Sequence, residues 1–189
     1  GELAKHLIDR FSLKDVKVEV TELGDHYDPI EKKVRLLREH YDSKSLTAIA
    51  IAAHEVGHAI QDQQGDKRLA TRTKMAPVVD KVARWSVAII YLSPVIGIIT
   101  RHPMPFSLLL LLGLCGFIAR MMIHVVTLPI EFDASFSKAL PLLREGNYVS
   151  QSNEKAVNRI LRAAALTYVS AALADILNLG RWMVILLRR

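Results

Sequence analysis

Hydrophobic positions along this chain change their period as the chain proceeds, and each change predicts a different element. Leu3, Leu7, Ile8 and Phe11 recur at helical spacing, which predicts a short helix over residues 1–12. Val16, Val18 and Val20 then alternate with Lys17, Glu19 and Thr21, the two-residue period of a half-buried strand. Alternation resumes at Lys33-Val34-Arg35-Leu36, after the turn-forming stretch Gly24-Asp25-His26-Tyr27-Asp28-Pro29. A β-hairpin is therefore expected across 16–37. Asp42-Ser43-Lys44-Ser45 offers helix caps, and an Ala/Ile-rich helix runs on from about Leu46 to Gln61.

Periodicity then gives way to blocks. Lys67, Arg68, Arg72, Lys74, Lys81 and Arg84 form a basic cluster within 62–84. Two apolar blocks, 85–100 and 107–126, are separated by Arg101-His102-Pro103-Met104-Pro105. As helices they would be about 24–30 Å long, against a bilayer hydrocarbon core of roughly 30 Å. With so short a separator they read as a transmembrane helical hairpin. The alternative is two buried helices of a globular core, which the uniform run LLLLLGLCGFI disfavours. Arg120 and His124 inside the second block need a partner, a wet cavity or an interfacial position. Residues 131–162 return to mixed, helix-compatible sequence. The last apolar stretch, 163–179, contains Asp175 and fits a third span as well as a buried or interfacial helix.

This segregation explains how 51% hydrophobic and 23% charged residues coexist in 189 residues. The net charge of +6 suits anionic lipid and span-flanking positions. Nucleic acid is disfavoured, because no basic run is interleaved with aromatics. A lone Cys115 excludes an intramolecular disulfide. The chain opens Gly1-Glu2-Leu3, without an initiator Met or a signal-peptide pattern, and is expected either to have had its start removed or to be a fragment of something longer.

The chemistry concentrates in His54-Glu55-Val56-Gly57-His58, an H-E-x-x-H pattern on the predicted helix. Four residues is just over one helical turn, so both imidazoles share a face and can hold one ion. Glu55 then stands beside the open coordination position, where it can deprotonate water. Zn2+ suits such nitrogen and carboxylate ligands. Gly57 costs about 1 kcal/mol against Ala in a helix interior, which suggests close packing or binding there. A third ligand is wanted, and His102, His124 and the acids from Glu131 onward are available. His102 lies in the hairpin turn and His124 inside an apolar helix. A two-span hairpin returns the chain to the side it left, which favours Glu131. For stabilising a developing oxyanion, His26, Tyr27 and Tyr168 are candidates. His26 is favoured because the turn around it is so polar, although an ordinary β-turn fits equally. The edge of the strand at 33–37 could receive an extended substrate.

With DHYDP at 25–29, AAHEVGHAIQ at 52–61, TLPIEFDAS at 127–135 and AAALTYVSAAL at 163–173, the chain resembles the YugP-type neutral zinc metallopeptidases, bacterial membrane proteins. The resemblance implies a membrane-bound zinc protease with His54, His58 and Glu131 as ligands, in the manner of gluzincins. It also implies a further span upstream. Gluzincins often carry an Asp four residues after the ligand Glu; here Ser135 stands there, and Asp133 is the nearer acid for a supporting role.

The expected architecture is mainly α with a small β-hairpin or sheet. A zincin-like subdomain at 1–84 carries the HExxH helix, 85–126 forms the transmembrane hairpin, and 127–189 brings the third ligand and an apolar helix into one integrated catalytic domain. The expected function is zinc-dependent endopeptidase activity on protein or peptide substrates, membrane-associated ones included. The expected location is the bacterial plasma membrane. The basic cluster against the sparse 101–106 turn puts the zinc site on the cytoplasmic side, with Arg188-Arg189 as a counterweight. Two rival readings are a non-proteolytic membrane scaffold or chaperone with a structural zinc, against which Glu55 argues, and a soluble helical protein binding acidic partners.

Overall fold

The amphipathic stripe at the start of the chain forms α1 (Glu2–Arg10), with Ala4, Leu7 and Ile8 buried. It belongs to a computed structural model that describes residues 1–187; Arg188-Arg189 lies outside the described residues. The chain divides into two compact units, one made of Gly1–Ala70 with Leu128–Thr167, the other of Thr71–Thr127 with the chain from Tyr168.

In the first unit, β1 (Lys17–Thr21), β2 (His26–Asp28) and β3 (Lys33–Leu37) form a sheet in the order β1-β3-β2. Here the expected hairpin needs correcting. Its two arms, β1 and β3, run parallel, from Lys17↔Lys33 to Thr21↔Leu37. The hairpin is instead β2–β3, antiparallel with Tyr27 opposite Val34. The reason is that the polar stretch at 25–29 contains a strand as well as a turn. The chain reverses once near Gly24, at φ 98, and again after Asp28, leaving Lys32 at φ 53. In that second turn Asp28 Oδ1 accepts from the Ile30 and Glu31 amides at 2.9 and 3.0 Å, an Asx-type turn. Two reversals restore the original direction, so β3 must lie parallel to β1. The sheet order corrects the substrate edge too. With neighbours on both sides, β3 has no free edge for a substrate; β1 and β2 are the edge strands. Arg35 on β3 ties the sheet together, bonding Glu19 at 2.6 Å, Asp28 at 2.7 Å and Glu31 at 2.6 Å.

After α2 (Arg38–Tyr41), Ser45 Oγ accepts the Ala48 amide at 3.2 Å and starts α3 (Leu46–Gln63). Ser45 thus supplies the cap expected within 42–45. Val34 and Leu36, the inward residues of β3, pack in one core with Leu7 and with Ala52, Ala53 and Val56 of α3. Full burial of each large aliphatic among these is worth about 1.5–3 kcal/mol. The end of α5 (Pro103–Phe132) continues into a π-helical segment, Asp133–Ala139, then α6 (Leu140–Glu145). Leu140 and Leu143 complete the same core with Val157 and Leu161.

The second unit takes the greater part of α4 (Lys67–Thr100) and α5, between Thr71 and Thr127, and α7 (Glu154–Leu187) from Tyr168 on. Three segments are long and apolar enough to cross a membrane: Lys67–Thr100, Pro103–Glu145 and Gln151–Leu177. The first two contain the apolar blocks expected at 85–100 and 107–126, and the third takes in most of 163–179. Their surfaces carry large aliphatics outward, such as Ile98, Leu108 and Leu177, as a hydrocarbon solvent allows. Gly116 faces Ser86 so closely that a Cβ would collide with the Ser86 hydroxyl, the close helix approach that small residues permit in membranes. Asp175 meets Arg120 Nε at 3.2 Å and His124 Nε2 at 3.4 Å. The partner that those two basic residues required is therefore on α7.

Candidate metal centre

The middle of α3 is enclosed by the first unit's core, so His54, Glu55 and His58 are all buried. Their helical spacing sets the two imidazole rings edge to face, with centroids 4.7 Å apart. Glu131, from the last turn of α5, reaches between them, its Oε2 lying 3.2 Å from His54 Nε2 and 3.2 Å from His58 Nε2. One donor atom from each of the three lies within 4.8 Å of the other two, and the three are placed to hold a metal ion.

The outer nitrogens show what fits. Ser135 Oγ donates to the Leu161 carbonyl at 3.2 Å and so accepts from His54 Nδ1 at 3.0 Å. Gln61 Nε2 donates to the Ile130 carbonyl at 2.9 Å and to Asp133 Oδ2 at 2.7 Å, which leaves Oε1 to accept from His58 Nδ1 at 2.9 Å. A ring able to ligate a metal, which must be neutral, thus carries its proton on Nδ1. Both Nε2 atoms then present lone pairs toward a carboxylate oxygen, and three acceptors converge with no proton to share. A buried cation resolves that repulsion, and zinc suits a set of two nitrogens and one oxygen.

Glu55 is only 6% exposed. Burial, reinforced by the Glu131 and Asp25 carboxylates and opposed by His54 and the Tyr27 amide, pushes its carboxyl up to about 7. The Tyr27 backbone is among the groups that act on Glu55, so β2, an edge strand, runs near this carboxylate.

Close packing explains Gly57. A Cβ there would stand 2.8 Å from the Ala134 carbonyl oxygen and 3.3 Å from Lys138 Cβ. The glycine thus lets α3 meet the π-helical segment at backbone distance, as its cost in a helix suggested.

The other sequence candidates lie elsewhere. His102 is exposed and its Nδ1 accepts from the Met104 amide at 3.2 Å. His124 pairs with Asp175. Tyr168 accepts from Arg72 in the second unit. His26 lies on β2 and its Nδ1 donates to the Gly24 carbonyl at 2.8 Å. The polarity of its turn has structural causes. Asp25 bonds the Leu37 amide and His40, Tyr27 donates to Asp62, and Asp28 holds Arg35 and the turn. Burial, then the Asp62 carboxylate, keeps the Tyr27 hydroxyl well above its ordinary pKa and protonated. The supporting role of Gln61 escaped the sequence reading. It is three positions after His58 on the same helical face, and that spacing was the available signal. Asp133 supports Gln61 rather than either imidazole.

A family model described as "putative neutral zinc metallopeptidase" matches residues 1–187. The "Putative membrane protease YugP" of Bacillus subtilis (strain 168) is 37% identical over 189 residues, covering 99% of this chain and 80% of that protein. No solved structure matches.

Proposed function

This chain belongs to the neutral zinc metallopeptidase family, and from that premise we propose that it is a membrane-embedded endopeptidase in which Glu55 is the general base. The convergence of two imidazole lone pairs and one carboxylate oxygen beside a buried glutamate carries the reading. Zinc held by His54, His58 and Glu131 would supply a polarising positive charge and a water acidified toward neutrality. Glu55 takes the proton of the attacking water on its carboxylate and returns it to the departing amide nitrogen. Burial raises the carboxyl above its ordinary range, which strengthens Glu55 as a proton acceptor.

Protein or peptide substrates are proposed to lie extended along the β2 edge next to Glu55, by strand addition. His26, on that strand, is the proposed oxyanion donor. With its Nδ1 proton committed to Gly24, it can donate only when Nε2 is protonated too. The basic residues at the start of α4 favour a cytoplasmic zinc site, with the Arg101-His102 link outside. Impermeant thiol labelling of Pro103→Cys in a Cys115→Ser background should therefore occur from outside intact cells; labelling from the inside alone would reverse the orientation.

The decisive experiment is Glu55→Gln. The variant should keep its zinc while peptide cleavage falls about 10²–10⁴-fold. Undiminished cleavage by the purified variant would remove Glu55 from the reaction. Absence of cleavage by the wild-type protein loaded with zinc would favour a scaffold with a structural metal.

A further inference from the structure

Gln61 is 1% exposed and bonded through every polar group it has. Two of its three partners, the Ile130 carbonyl and the Asp133 carboxylate, can only accept, so both must be served by its NH2 group. The amide orientation is thereby determined, and Oε1 must face His58. A carbonyl oxygen can only accept, so His58 must donate from Nδ1, which leaves Nε2 bare toward Glu131. Ile130 and Asp133 also bracket Glu131 in sequence, one residue before it and two after. A single side chain therefore touches both halves of the donor set.

We propose that Gln61 is a positioning residue for the metal centre, setting the tautomer of His58 and holding the Glu131 segment of α5 in register with α3. Its Nε2 bonds act on the backbone turn that carries Glu131, and its Oε1 bond acts on the ring of the facing ligand. Neither half could shift without breaking one of these bonds. Removal of such a partner lowers metal affinity about 10–100-fold. This inference rests on the metal-centre reading but not on proteolysis.

Zinc affinity of the full chain in detergent, measured by chelator competition, tests it. Gln61→Met matches the length and removes all three bonds; its zinc affinity should fall about 10–100-fold. Gln61→Glu keeps an acceptor for His58 but sets an acceptor against Asp133 and Ile130, and should also bind weakly. Adding Asp133→Asn to Gln61→Glu restores a donor–acceptor pair across that contact and should recover part of the lost affinity. A purely structural glutamine would give no such recovery. Cobalt substitution adds a spectroscopic readout, since displacement of His58 alters the ligand-field bands. Should Gln61→Met fail to fold, the two acid-containing variants decide the matter between themselves. Wild-type affinity in folded Gln61→Met, or a double variant no better than Gln61→Glu, would overturn the proposal. A wild-type chain that binds no zinc would instead overturn the metal centre itself, and this inference with it.

Discussion

Both units of the molecule bury charge, and they do it by different means. Around α3 the imidazoles, Gln61 and Ser135 are joined by directed hydrogen bonds, and three donor atoms converge where a metal ion can be held. Among the helices of the second unit, Asp175 is just 8% exposed and meets two basic side chains. Yet His124 Nε2 and Asp175 Oδ2 make no hydrogen bond there. A metal site must specify which nitrogen carries a proton and where each lone pair points, so it needs a scaffold of bonds. A carboxylate among apolar helices needs chiefly to be neutralised, and proximity to Arg120 does that. Orientation matters in the first case and charge balance in the second.

The comparison can be broken most forcefully at Glu131. Glu131→Ala should leave the centre with two ligands and strip most of its zinc, as metal analysis would register; full occupancy would move the third ligand elsewhere. Next in size is Gly57→Ala, whose added methyl meets the Ala134 carbonyl. It should destabilise the fold by about 1–3 kcal/mol and loosen zinc as well, since the ligand-bearing segments must part. Unchanged melting and zinc affinity would mean that the seam tolerates a gap. Smaller again is Asp175→Asn. It should cost about 1 kcal/mol of stability in detergent while zinc affinity stays at wild-type level. A matching loss of zinc would erase the distinction between the two units.

The smallest expected effect is electrostatic and lies in the sheet. Burial raises the Asp28 carboxyl, but the Glu31 and Ile30 amides and Arg35 outweigh it and hold the group below its ordinary value. A carboxyl lowered on folding stabilises the protein above its unfolded pKa, about 4, and loses that contribution as pH falls through the lowered folded value. Arg35→Gln should move this acid-side loss to higher pH in thermal melts taken from about pH 6 down to 2. An unaltered profile would leave the backbone amides as the sole cause.

Much of the centre was readable beforehand, because the spacing of His54 and His58 follows from helix geometry and a two-span hairpin must bring Glu131 back. The apolar blocks were equally plain, since composition alone separates lipid-facing sequence from soluble sequence. The sheet order was not. β2 is three residues long and hidden among turn formers, and one reversal more or less changes parallel into antiparallel. Gln61 was hidden for another reason. An amide carries no charge or metal-ligand signature, so its importance lies in what surrounds it. His26 was favoured for a polarity that its neighbours turn out to need for structure.

The π-helical stretch Asp133–Ala139 sets a constraint of its own. A π turn accommodates a residue more than an α turn does, so it behaves as an insertion absorbed within a helix. Removing one residue between Ala134 and Ala139 should therefore let the segment relax to ordinary helix with its flanks still aligned, whereas adding one more would exceed what the turn absorbs and swing the chain from Leu140 onward by about 100°. Leu140 and Leu143 would then leave the core while Glu131, upstream, kept its station. The stretch can give up a residue and keep its flanks aligned; it cannot take in another.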